Sequence, residues 1–176
     1  MAASAPTPVA IYQVKPILKL PRTPMNDALD AVTAVALILC TYLLVEAWPH
    51  LPVQVPTHFA ANGQADAWGS RATLWILPSA AAFIAALLTV LCRWPHRFNY
   101  AFAITMENAE RQYQIAVALM HWLKLEIAAL FSYLTWATVN VALGHASGLN
   151  GALMAITLAA IFGTVGAYLW QSYRAR

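Results

Sequence analysis

The chain has 176 residues, of which 61% are apolar and 10% charged, and its formal net charge is +3. Soluble domains carry about 25% charged residues, so this composition excludes an ordinary water-soluble globular protein and points to a lipid environment. Its ten basic and seven acidic residues lie mostly between long apolar runs, where Lys and Arg set membrane topology rather than form a nucleic-acid surface.

The first 26 residues carry Pro, Lys and Arg but no apolar run. They read as a cytoplasmic segment without a cleaved signal peptide, leaving the first span as an uncleaved anchor. That span is expected over about 27–48. Thr23-Pro24 supplies an N-cap and a first-turn proline, and Asp27 and Asp30 favour the positive end of the helix dipole. A bilayer core of about 30 Å takes about 20 helical residues. The second span, about 74–92, opens on eighteen uncharged residues from Leu74 to Leu91, with Trp75 and Trp94 near its ends as interfacial aromatics.

A third helix is predicted from Thr105 to Leu143, about 57 Å long at 1.5 Å per residue, because no Pro or Gly interrupts it. Residues 105–122 form an amphipathic inner segment. Within it Glu107, Arg111, Gln114 and His121 make one stripe, with Glu107 and Arg111 in favourable i,i+4 order. The membrane part follows at about 123–143. Gly144, Gly148 and Asn150 mark a short loop to the fourth span, about 151–170, and residues 172–176 form a tail. Gly163 and Gly166, with Ala159 and Ala160, would let that helix approach a neighbour closely.

Lys and Arg number three before the first span, one before the second, four before the third, none before the fourth and two after it. The alternation predicts N-in, C-in. The fold class is therefore an all-α integral membrane protein, a four-helix transmembrane bundle with a structured outer loop between helices 1 and 2. Cys40 and Cys92 lie within or at the end of apolar runs, as buried small hydrophobes rather than a disulfide framework.

The outer loop, residues 49–73, is the most informative stretch. Pro52 and Pro56 bias Val53–Phe59 to an extended run, and Asn62-Gly63 is a turn signal. Phe59 and Trp68 have apolar bodies to bury against the bundle or headgroups. A chain folding back at Asn62-Gly63 could bring His58 and Asp66 together. Their plainest role is hydrogen bonding that holds the turn shut; ligand binding is the second reading, and a His–carboxylate pair can also move a proton or help hold a metal. Two side chains are too few to assign a metal site, so no metal or cofactor is expected.

Pro56, His58, Phe59, Gly63, Asp66, Trp68, Gly69, Ser70 and Arg71 resemble the signature of the SdpI-like bacterial membrane family, a domain of unknown function. A second piece, Asn99, Tyr100, Glu107, Asn108, Gln112 and Tyr113, resembles the family's segment between its second and third spans. The resemblance implies a bacterial inner-membrane protein that gives immunity to a secreted peptide toxin or senses it, with an extracellular peptide outside and a cytoplasmic regulator inside. The short chain keeps open a small accessory subunit of a larger membrane complex.

No Walker loop, dinucleotide fingerprint, Ser-His-Asp order or H-E-x-x-H occurs, so familiar enzyme activity is not expected. Glu46 is expected to be solvated, and His121, Lys124 and Glu126 to snorkel at the inner surface. Asn140 is expected to bond a neighbouring helix. The spans show no paired intramembrane charges of the kind that mark pumps and coupled transporters.

Overall fold

The computed structural model describes residues 15–176; residues 1–14 of the expected N-terminal segment lie outside that range. Among the described residues four helical segments, Pro24–His50, Arg71–Leu91, Ala109–Ala142 and Gly151–Arg174, are long and apolar enough to cross a membrane, as a multi-pass membrane protein requires. Their α-helices are α1 (Pro24–Ala47), α2 (Ile76–Leu91), α3 (Ala109–Ala142) and α4 (Gly151–Arg174). Between α1 and α2 stands an antiparallel hairpin of β1 (Gln54–Phe59) and β2 (Ala65–Ser70). The fold is thus mostly rather than wholly helical. The prolines and the tight turn drive the outer loop to pair with itself, which satisfies backbone groups that an irregular loop would leave to water.

Local chemistry sets the helix ends. The Thr23 hydroxyl accepts from the Asn26 amide, with Pro24 opening α1. α4 begins where the Asn150 side chain accepts from the amides of Ala152 and Leu153, and it runs on to Arg174, so most of the expected tail is helical. The third helix starts four residues later than predicted. Thr105 and Asn108 exchange hydrogen bonds, each side chain accepting from the other's amide, and close a separate turn ahead of Ala109. Glu107 stays outside the helix and, among the described residues, forms no ion pair with Arg111; Gln114 bonds Glu110 instead.

α3 is the central helix and packs against α1, α2 and α4. Successive contacts fix directions. Asp30 meets His121, Cys40 meets Thr135, and Leu44 shares a cluster with Val139, so α1 and α3 run the same way. Lys124 meets Thr89 and Gln112 meets Ser172, so α2 and α4 run the other way. Two apolar clusters close the ends. Leu44, Leu51, Val55, Leu74 and Val139 join the hairpin root to the helices. Ile104, Ala109 and Tyr113 do the same at the far end, with Leu18, Leu20 and Tyr100 against them.

Three sequence expectations are corrected. Lys124 and His121 are 2% and 5% exposed and do not snorkel: both turn inward onto Asp30. The spans therefore do carry paired charges. Glu126 is half-buried, one carboxylate oxygen accepting from the Thr164 hydroxyl of α4 and the other buried without a partner among the described residues. Asn140 donates to Trp136 O of its own helix, because a carbonyl one turn back is closer than any neighbour.

Candidate functional site

The hairpin's shape follows from a few residues. Gly63 takes φ +83°, where a side chain would be strained. The Asn62 side chain accepts from the Gln64 amide, and Ala60 O accepts from the Gly63 amide at 2.8 Å. The tip is also docked: the Leu149 amide donates to Gly63 O at 2.8 Å, and Gln64 bridges Gly148 on the α3–α4 loop. A Cβ on Gly63 would stand 2.5 Å from Leu149 O, and one on Gly148 2.2 Å from Gly63 O. Both glycines are required by this close approach.

Strand register explains the pairing of the polar residues. Pro56 faces Trp68, but His58 faces Ala67 and Phe59 faces Ala65, with irregularities on either side of His58. These bulges re-aim side chains, and His58 Nδ1 lies 2.6 Å from Asp66 Oδ1. Both remain accessible, their side chains 67% and 47% exposed. Trp68 is 53% exposed, so of the two partners expected for it, the bundle or the headgroups, the bundle does not cover it. Its ring stays exposed on β2, two residues along the strand from Asp66.

Other motif residues hold the scaffold. Gly69 makes room for Thr57, whose methyl would stand 2.9 Å from an added Cβ. Arg71 donates to Leu51 O at 3.1 Å and lies over the Trp48 ring at 4.9 Å, locking the hairpin root to the end of α1. Pro56, Thr57, His58 and Phe59 of β1 border a cleft of about 430 Å³ whose other walls are mainly apolar residues of α2 and α3. The site is thus a rigid hairpin carrying an exposed His–Asp pair, an exposed Trp and an apolar recess.

The second motif segment has a structural reading at the opposite end. The Tyr100 hydroxyl donates to Pro95 O and that of Tyr113 to Pro16 O. Burial pushes the Tyr100 phenol well above its ordinary pKa, with the neighbouring Tyr113 and Tyr168 adding to the shift. Gln112 donates to Ser172 O and accepts from its hydroxyl, joining α3 to α4. Asn108 closes the turn before α3, while Asn99 and Glu107 are exposed. The structure brings Tyr100 and Tyr113 together, ring centroids 5.5 Å apart, but not these residues with the hairpin.

Sequence reasoning missed the charged junction near that end. Asp30 Oδ1 receives His121 at 2.7 Å and the Lys124 ammonium, while Oδ2 receives Arg22 at 2.7 Å. Lys124 also donates to the Thr89 hydroxyl at 3.1 Å. The available signal was spacing: His121 and Lys124 are three residues apart, hence on one helical face, and ionisable residues inside apolar helices default to functional or paired roles. Among the described residues no group of three or more His, Cys, Asp and Glu is placed to hold a metal.

Residues 34–82 match the family model described as Domain of unknown function (DUF1648). The match takes in most of α1, the whole hairpin and the first part of α2. An uncharacterized protein of Archaeoglobus fulgidus is 33% identical over 73 residues, 42% of this chain and 40% of the relative. The chain therefore spans well under two thirds of the length of the curated relative it matches. No solved structure matches the chain.

Proposed function

We propose that this is an SdpI-like sensor or immunity protein of the bacterial inner membrane, whose hairpin faces outward and binds a peptide without chemical turnover. The observation that carries the reading is the exposed His58–Asp66 pair, together with the exposed Trp68, on a hairpin held at both tip and root. Polar and aromatic groups left accessible on a fixed scaffold are what recognition needs. Among the described residues β2 pairs only with β1, so its outer edge can take an extended peptide strand by backbone hydrogen bonding. The cleft bordered by Pro56 and Phe59 would receive an apolar side chain. Toward the cytoplasm, α1 and α3 connect the hairpin root to the Asp30 junction, a route by which occupancy could reach a regulator.

The test is protection of cells against a peptide toxin by His58→Ala, Asp66→Asn and Trp68→Ala variants whose membrane levels match the parent. Loss of protection is expected. Full protection by all three would refute the reading.

One feature favours a second reading, an accessory subunit of a larger complex. A groove of about 440 Å³ between α3 and α4 contains Glu126, whose second carboxylate oxygen has no donor among the described residues, and a Cβ added at Gly163 or Gly166 would meet no neighbouring element of the described chain within 4 Å. A partner helix could supply that donor. Mild-detergent extraction decides between them: a membrane partner at constant ratio supports the subunit, and a lone species supports the sensor.

A further inference from the structure

The end of the bundle opposite the hairpin holds a second cavity, about 570 Å³, enclosed by residues 17–22, the start of α1, residues 92–96 after α2, and α3. Lys19, Arg22, Arg93 and His96 line it, and Asp30 and His121 contribute to the same lining. We propose that this cavity binds a phosphate-bearing anion, and that its occupant is the headgroup of an anionic phospholipid.

The charge count carries the first step. Four cations, Lys19, Arg22, Arg93 and Lys124, stand in or directly behind the wall, against two carboxylates, Asp27 and Asp30. Counted without the histidines, the four cations exceed the two carboxylates by two positive charges. Asp30 does not repel an incoming anion strongly, because its two oxygens are taken by Arg22, His121 and Lys124. Asp27 is likewise paired with Arg22. Among the described residues Lys19 and Arg93 have no carboxylate partner, so the excess resides on two flexible, accessible side chains facing the cavity.

The apolar part of the lining selects the source of the phosphate. Ile17, Leu20, Trp94 and Val117 share the wall with the cations, and Trp94 carries the Arg97 guanidinium over its ring at 5.7 Å. Indole rings paired with basic residues at the end of an apolar helix sit at headgroup depth. A free phosphate would use the cations and leave the apolar wall wet. A phospholipid satisfies both, its phosphate on Lys19 and Arg93 and its upper acyl chain along Leu20 and Trp94. Juxtamembrane basic residues are attracted to anionic lipid in just this way.

The experiment is thermal melting of the full chain in neutral detergent, titrated with dioleoylphosphatidylglycerol, dioleoylphosphatidylcholine or inorganic phosphate, with native mass spectrometry to count retained lipid. Phosphatidylglycerol is expected to raise the melting temperature and remain bound, and phosphatidylcholine to do neither. The Lys19→Gln/Arg93→Gln variant should bind phosphatidylglycerol about thirtyfold more weakly. Each single variant, expected to lose about fivefold, provides the same reading should the double variant misfold. An Arg174→Gln/Arg176→Gln control should respond like the parent. Equal shifts with both lipids, or an undiminished response in the Lys19 and Arg93 variants, would overturn the site. A shift reproduced by inorganic phosphate alone would keep the anion site and overturn the lipid assignment.

Discussion

Asp30→Asn removes the carboxylate on which three cationic or polar donors converge from α1's approach segment and α3. Its cost can be worked from what is left behind. The Lys124 ammonium, on a residue 2% exposed, would retain only the Thr89 hydroxyl at 3.1 Å and an amide oxygen in place of a carboxylate. Breaking a buried ion pair from one side costs about 3–5 kcal/mol. Asp27→Asn is the control, because Asp27 touches the same Arg22 but its side chain is 59% exposed, and pairs of that kind contribute about 0–1 kcal/mol. Lys124→Met in the Asp30→Asn background removes the stranded charge and should recover much of the loss, since a buried pair replaced by apolar groups is often neutral. Unfolding by dodecyl sulfate titration in mixed micelles, followed by tryptophan fluorescence, gives the values for the parent, these three variants and Lys124→Met alone. A destabilisation by Asp30→Asn no larger than that of Asp27→Asn, or a double variant as unstable as the sum of the singles, would refute the account of this junction.

Gly63→Ala should destabilise the hairpin tip by about 1–3 kcal/mol, since the φ of +83° and the 2.5 Å approach to Leu149 O both exclude a side chain; hydrogen exchange at the Leu149 amide reads the undocking, and protection equal to the parent's would contradict it. Ser172→Ala strips the donor from the buried Gln112 carbonyl oxygen and should cost about 1–3 kcal/mol, seen as easier proteolysis of the end of α4. Tyr100 gives the pH dependence. Its phenol is raised in the folded state by burial, so its contribution is full below the ordinary tyrosine value and is lost as pH rises above it. Melting temperatures from pH 9 to 11 should fall less steeply in Tyr100→Phe than in the parent, at the cost of the hydrogen bond to Pro95, about 1 kcal/mol.

The four spans were legible because nothing but lipid exposure explains apolar runs of that length, and α3's continuity was legible because no helix breaker interrupts it. The hairpin's turn was legible at Asn62-Gly63 and its first strand from Pro52 and Pro56. The second strand was not, since Ala65–Ser70 includes Asp66 and Gly69 and has little intrinsic β preference; pairing with β1 imposes it. The Asp30 junction was hidden for a different reason. A Lys or His at the inner edge of a span reads as a side chain reaching for water, and only the parallel packing of α1 on α3 brings Asp30 within reach of His121 and Lys124. Trp68 shows the converse: its type suggests burial against the bundle or headgroups, and its place on the bulged hairpin leaves it uncovered by the bundle.

The reading of the hairpin as a peptide-receiving surface is tested most directly by a photoreactive phenylalanine analogue placed at position 68 in living cells, with position 170 on α4 as the control and with and without His58→Ala. The account predicts a peptide adduct at position 68 when toxin peptide is added outside, its loss in the His58→Ala background, and none at position 170. Adducts at position 68 that contain only a membrane protein of constant size, or peptide adducts indifferent to His58, would contradict it.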